Sequence, residues 1–85
     1  MRIRDVLNKI LWCEPQHLQD YEIHIVHRGC PGDVKVIPFS MVTGVFRSCF
    51  TYRDQGSSED VVIPFHRVIL VRNRLSGEVL FERRR

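Results

Sequence analysis

The chain has 85 residues, 44% of them hydrophobic and 27% charged, with a formal net charge of +3 at neutral pH. A chain of this length makes one small domain (residues 1–85), whose single core buries roughly 60–65% of the unfolded surface. No apolar run approaches the roughly 18–20 residues of a membrane span, and Met1-Arg2-Ile3-Arg4-Asp5 lacks a signal peptide's apolar middle, which predicts a cytoplasmic protein.

Ile3, Val6, Leu7, Ile10 and Leu11 recur at i, i+3, i+4, i+7 and i+8, one stripe of an amphipathic helix, with Arg4, Asp5, Asn8 and Lys9 on the other side. Pro15 ends this helix near Trp12-Cys13. Trp12 is expected to plug the core from the helix end, with base stacking as its alternative role. Glu14 to Asp20 reads as a polar connector, and Tyr21 to Arg28 alternates as a half-buried strand. Gly29-Cys30-Pro31-Gly32-Asp33 supplies a turn, and Val34 to Ile37 returns as the second arm of a hairpin.

An internal echo follows. Val36-Ile37-Pro38-Phe39-Ser40 matches Val62-Ile63-Pro64-Phe65-His66, each at the end of a β-type run. Both copies are expected to use one bend, the proline ending the strand and the phenylalanine turning into the core. The second copy carries His66-Arg67 where the first carries Ser40-Met41. Val42 to Arg53 reads as one strand ending near Arg53, and Asp54 to Asp60 as a loop. Val68 to Val71 is the longest apolar run and reads as a central strand covered on both faces. Leu75-Ser76-Gly77 then turns the chain into a last strand, Glu78 to Arg83, with Val79 and Phe81 on one face. The fold class is α+β: an N-terminal helix packed on a mainly antiparallel, twisted sheet of about five strands.

Charge is distributed unevenly. Residues 1–60 carry 7 Lys/Arg against 8 Asp/Glu, a balance of −1, whereas residues 61–85 carry 6 arginines against Glu78 and Glu82, a balance of +4. An all-arginine basic segment suits phosphate, because the guanidinium fork binds two oxygens at once. His66 and Arg67 at the bend are the leading anion-binding pair, with Arg28 at the end of the first strand and Arg72 on the following hairpin; Arg74 and Arg83 to Arg85 extend the same basic character. For Arg72 the competing expectation is a cross-strand ion pair with Glu78.

Other chemistries fit less well. His24, His27 and Cys30, completed by Cys13 or Cys49, have metal-ligand residue types, but residues three apart on a strand face opposite ways, so no metal is expected. The three cysteines are odd in number and lack a C-x-x-C, which favours reduced, mostly buried thiols over disulfides. Cys30 with His27, or Ser40 with His66, lacks the orienting carboxylate and oxyanion loop of a nucleophilic site. Binding is therefore favoured over catalysis, and no cofactor is expected.

The run IPFHRVILVRNRLSGEVLFER, the N-terminal RIRDVLNKILW and the strand YEIHIVHRG together resemble a small archaeal family of unknown function. That family is named for an RNA cyclic-group-end recognition domain, found alone in archaea and fused to RNA-processing modules elsewhere. The resemblance covers essentially the whole chain and implies binding of RNA ends, including 2′,3′-cyclic phosphates, rather than catalysis. Its motif positions here are Trp12, Arg28, Pro64, Phe65, His66, Arg67 and Gly77. Pro64, Phe65 and Gly77 take structural roles by this resemblance, and His66, Arg67 and Arg28 ligand contacts. The family often has a tryptophan where this chain has Phe81, which favours core packing at that position.

The expected function is thus an RNA-binding module: Arg67 and Arg28 on a terminal phosphate, His66 on a phosphate or ribose oxygen, and Tyr52 or Trp12 stacking on the last base. Two alternatives stand beside it. One is a protein-interaction module that dimerises through a sheet edge; the other is a small phosphoesterase using His66 as general acid or base.

Overall fold

The computed structural model, which describes residues 2–13, 15–29 and 31–83, begins with helix α1 (Ile3–Cys13). Ile3, Val6, Leu7 and Ile10 are its buried stripe, as the spacing predicts. A 3₁₀ segment, Pro15–Asp20, continues from it where the sequence reads as a plain connector; it is kinked at His17. Strands β1 (Tyr21–Val26) and β2 (Val34–Pro38) form the expected antiparallel hairpin.

The chain then leaves this sheet. Phe39–Met41 makes one 3₁₀ turn, here called the first corner, and delivers the chain to β3 (Val42–Val45), β4 (Cys49–Tyr52) and β5 (Val61–Pro64). These three strands are a separate antiparallel meander with the order β3-β4-β5. A second corner, Phe65–Arg67, returns the chain to β6 (Val68–Asn73) and β7 (Val79–Glu82). The first sheet is thereby completed in the order β2-β1-β6-β7.

The echoed motif is therefore the device that carries the chain from one sheet to the other and back. Pro38 (φ −61°, ψ 135°) and Pro64 (φ −62°, ψ 144°) stand before the two turns in nearly identical conformations. In each turn the N–H of the following valine, Val42 or Val68, donates to the phenylalanine carbonyl. Proline fits because its φ is already fixed near this value and its missing N–H falls at a strand end. Phe39 is fully buried and Phe65 nearly so, and both join one core cluster with Phe50, Ile23, Ile25 and Val68. Burying a phenylalanine side chain contributes roughly 1.5–3 kcal/mol, so each corner is held by its own anchor.

The α+β class stands, but the described residues form seven strands in two sheets rather than about five in one. The difference arises within Val42 to Arg53, which folds as a hairpin around Phe46-Arg47-Ser48 instead of one strand. The central run Val68–Val71 also departs from the expected two-sided burial. Ile25 pairs with Val68 and His24 with Leu70, so Ile69 is a bulge residue with no partner on β1. A bulge shifts the alternation by one position. Val68 and Val71 consequently both face inward, fully buried, while Ile69 and Leu70 are half-buried. A second shift, between Val71 and Arg72, skips Leu80 on β7, and Leu80 and Phe81 both pack against the core.

Helix α1 touches both β3 and β7 and so closes the shared core of the two sheets. Trp12 is not the core plug expected of it: it is 76% exposed. Among the cysteines, Cys13 is exposed and Cys49 half-buried, against the expectation of mostly buried thiols, and Cys30 lies outside the described residues. No helix among the described residues is long and apolar enough to cross a membrane.

Candidate functional site

The second corner places its two polar residues on a single tight turn. Consecutive residues of a 3₁₀ turn point about 120° apart, so His66 and Arg67 diverge by a third of a turn rather than to opposite faces as on a strand. His66 is exposed. Arg67 is half-buried and lies back toward the end of β1, donating from Nε (3.2 Å) and Nη2 (2.7 Å) to the carbonyl oxygen of Val26. That carbonyl is the last of the strand. A guanidinium carries five N–H donors; with two committed to Val26, three remain available. The corresponding residue of the first corner is Met41, which packs against the core.

Val26 lies two residues before Arg28, which is exposed in the turn after β1. Arg67 and Arg28 thus belong to one end of the β1–β6 pair, with His66 beside them on the corner.

On the other side of the corner stands Arg83, immediately after β7. Its backbone N–H donates to Ile69 at 2.9 Å, and its Nη1 donates to the carbonyl oxygen of His66 at 3.3 Å. The same guanidinium lies 5.6 Å from the ring centroid of Phe81, within the range of a cation–π contact. The corner is therefore flanked by two arginines that both hold backbone carbonyls.

Arg83 also borders a cleft of about 680 Å³ lined by Arg2, Ile3, Arg4, Asp5, Arg47, Phe65, Phe81 and Arg83. Three separate parts of the chain supply its arginines: the start of α1, the β3–β4 turn, and the end of β7. Four arginines against Asp5 give the lining a formal balance of +3. Sequence reasoning missed Arg2, Arg4 and Arg47, which it counted within a segment of nearly balanced charge. Only the pairing of β7 with β6, and the packing of α1 against both β7 and β3, bring them to Arg83.

The other residues named from sequence lie elsewhere. Arg72 is near the far end of β6, where its Nε donates to Glu22 Oε1 at 2.8 Å. Its partner is the residue directly opposite on β1, not Glu78. Burial pushes the Glu22 carboxyl up, but the hydrogen bond and charge of Arg72, with the charge of His24, outweigh it and hold the carboxyl below its ordinary value. His24 Nε2 lies 3.2 Å from Glu22 Oε2 without hydrogen-bond geometry. Tyr52 is buried in the core, and its hydroxyl accepts a 3.1 Å hydrogen bond from Lys35 Nζ. That bond raises the Lys35 pKa above its ordinary value, with the Asp54 carboxylate assisting. Tyr52 thus has no free ring face for a base, whereas Trp12 has one, at the opposite end of α1 from the cleft. Among the described residues, no group of three or more His, Cys, Asp or Glu side chains converges as a metal site. Arg84, Arg85 and Cys30 lie outside the described residues.

The sequence has clear relatives, though no solved structure matches it. A UPF0248 protein of Methanococcus maripaludis is 32% identical over 82 residues, covering 96% of this chain and 99% of that protein. The UPF0248 protein MJ1316 of Methanocaldococcus jannaschii is 31% identical over 84 residues, covering 96% and 94%. A UPF0248 protein of Saccharolobus islandicus is 30% identical over 83 residues, covering 98% and 100%. Residues 1–83 match a family described as the MJ1316 RNA cyclic group end recognition domain, and the chain belongs to that family.

Proposed function

We propose that this protein is an RNA-binding module that recognises RNA ends through a terminal phosphate, including the 2′,3′-cyclic form, without catalysing a reaction on it. The observation that carries the reading is the second corner: an exposed His66 next to an Arg67 whose guanidinium is fixed on the Val26 carbonyl with three donors to spare. A guanidinium already held in place loses little conformational freedom when it accepts a phosphate, so more of the interaction appears as affinity. Arg28 adds a second positive charge at the same end of the sheet, and His66 supplies a hydrogen-bond donor to a phosphate or ribose oxygen. The description of the family to which the chain belongs supports the same ligand class.

The test is titration of short labelled RNAs ending in 2′,3′-cyclic phosphate, 3′-phosphate or 3′-hydroxyl. Tighter binding of the phosphate-bearing ends, weakening steeply with salt, is the expected result. Equal affinity for all three ends would remove end recognition, and absence of salt-sensitive binding would remove the RNA reading altogether.

A further inference from the structure

The four-arginine cleft holds none of the residues proposed above to grip the terminal group, yet Phe65 and the Arg83–His66 bond make it the corner's immediate neighbour. Its chemistry is that of a strand path rather than a point clamp. Arg2, Arg4 and Arg47 make no side-chain hydrogen bond or ion pair among the described residues. Three uncommitted guanidinium groups facing one space repel one another and lower the cost of admitting an anion. Ile3, Phe65 and Phe81 supply the apolar part of the lining, and Arg83 lies over the Phe81 ring. Guanidinium groups for phosphates beside apolar surface for sugar and base are the combination with which proteins hold single-stranded nucleic acid. A volume of about 680 Å³ is more than one terminal phosphate needs.

We infer that this cleft is a second RNA subsite, which takes the internucleotide phosphates immediately preceding the recognised 3′ end. This rests on the end-binding reading above and extends it. The corner holds the terminal group, and Arg2, Arg4, Arg47 and Arg83 hold the backbone that leads to it. The two subsites share the Phe65–Arg67 turn as a common wall, so the strand enters over the cleft and terminates at His66. The protein therefore binds an oligonucleotide more tightly than a mononucleotide with the same end, and the added affinity is the salt-sensitive part.

The experiment compares a 2′,3′-cyclic mononucleotide with a hexanucleotide carrying the same end, against wild type and an Arg4→Gln/Arg47→Gln double variant. Both residues are exposed, and circular dichroism checks the fold. The double variant is expected to bind the hexanucleotide about tenfold more weakly, with the log–log salt slope reduced by about 0.7 for each phosphate that is no longer neutralised, and the mononucleotide as wild type does. Unchanged hexanucleotide affinity and slope would overturn the inference. So would an equal loss for both ligands, which would place the terminal group itself in the cleft. Should wild type fail to distinguish RNA ends while the double variant still loses hexanucleotide affinity and slope, the cleft stands as a backbone site and end recognition alone falls.

Discussion

Arg67 donates two N–H groups to the carbonyl oxygen of Val26, at 3.2 and 2.7 Å, and so ties the second corner to the end of β1. One side chain thereby serves the fold and the proposed ligand together. Charge-assisted hydrogen bonds contribute about 1.5–3 kcal/mol, enough to matter in a domain of this size. The first corner shows that the turn itself does not need this residue, since Met41 occupies the equivalent place with the same backbone conformation.

Replacing Arg67 by methionine, the residue that the other corner uses, separates the two roles. The variant is expected to keep its circular dichroism spectrum, lose about 1.5–3 kcal/mol of stability, and bind phosphate-ended RNA at least tenfold more weakly. Undiminished RNA affinity in a folded Arg67→Met protein would remove Arg67 from the binding role.

The Glu22–Arg72 pair predicts an acid limb in the stability profile. Arg72 and His24 hold the folded-state carboxyl below its ordinary value of 4.5, so the unfolded chain binds the proton more readily. The stabilisation is complete above about pH 4.5 and fades as pH falls through the lower folded-state value. Glu22→Gln should flatten that limb in urea titrations at several pH values. At neutral pH its cost is about 1 kcal/mol, kept small by solvent around Arg72. A wild-type limb that survives intact in Glu22→Gln would assign it to other carboxylates.

The corners make a matched pair of predictions. Pro38→Ala and Pro64→Ala should each cost about 0.4–1 kcal/mol, because the native φ of −61° or −62° is one that proline fixes in the unfolded chain as well. Phe39→Ala and Phe65→Ala should each cost about 3–5 kcal/mol by emptying the core beneath a crossover. Denaturant midpoints would measure both sets. Phenylalanine variants as mild as the proline ones would show that the corners are not anchored by their aromatic rings.

Trp12 gives an optical control. Being 76% exposed, it should be replaceable by alanine within about 0.5 kcal/mol of wild-type stability. Trp12 lies seven residues along α1, a rise of about 10 Å, beyond Asp5, the last helix residue to line the cleft beside the corner. Its fluorescence should therefore not change when a cyclic mononucleotide binds; strong quenching by that ligand would put the terminal base at Trp12 instead.

Much of the fold is written in local pattern. The stripe of α1, the β1–β2 hairpin and the turn before β7 follow from periodicity and turn chemistry; at that turn Asn73 Oδ1 accepts from Leu75 and Ser76, and Gly77 takes φ 78°. The echoed proline–phenylalanine bend was legible too, but not its consequence, because only pairing shows that each copy changes sheets. The extra hairpin was hidden because Phe46-Arg47-Ser48 contains no glycine, proline or asparagine to mark a turn. The exposure of Trp12 was readable after all. It lies nine residues, or two and a half helical turns, beyond Ile3, on the side opposite the buried stripe. The arginine cleft was not, since its members lie as far apart as Arg2 and Arg83 and meet only through tertiary packing.

Whether the Phe65–Arg67 corner receives an RNA end can be read residue by residue from amide NMR with a short RNA terminated in a 2′,3′-cyclic phosphate and with its 3′-hydroxyl counterpart. The amides of His66, Arg67, Val26 and Arg28 are expected to shift with the cyclic end and far less with the hydroxyl end. Identical shifts with both RNAs, or shifts that bypass the corner, would contradict end recognition at the corner.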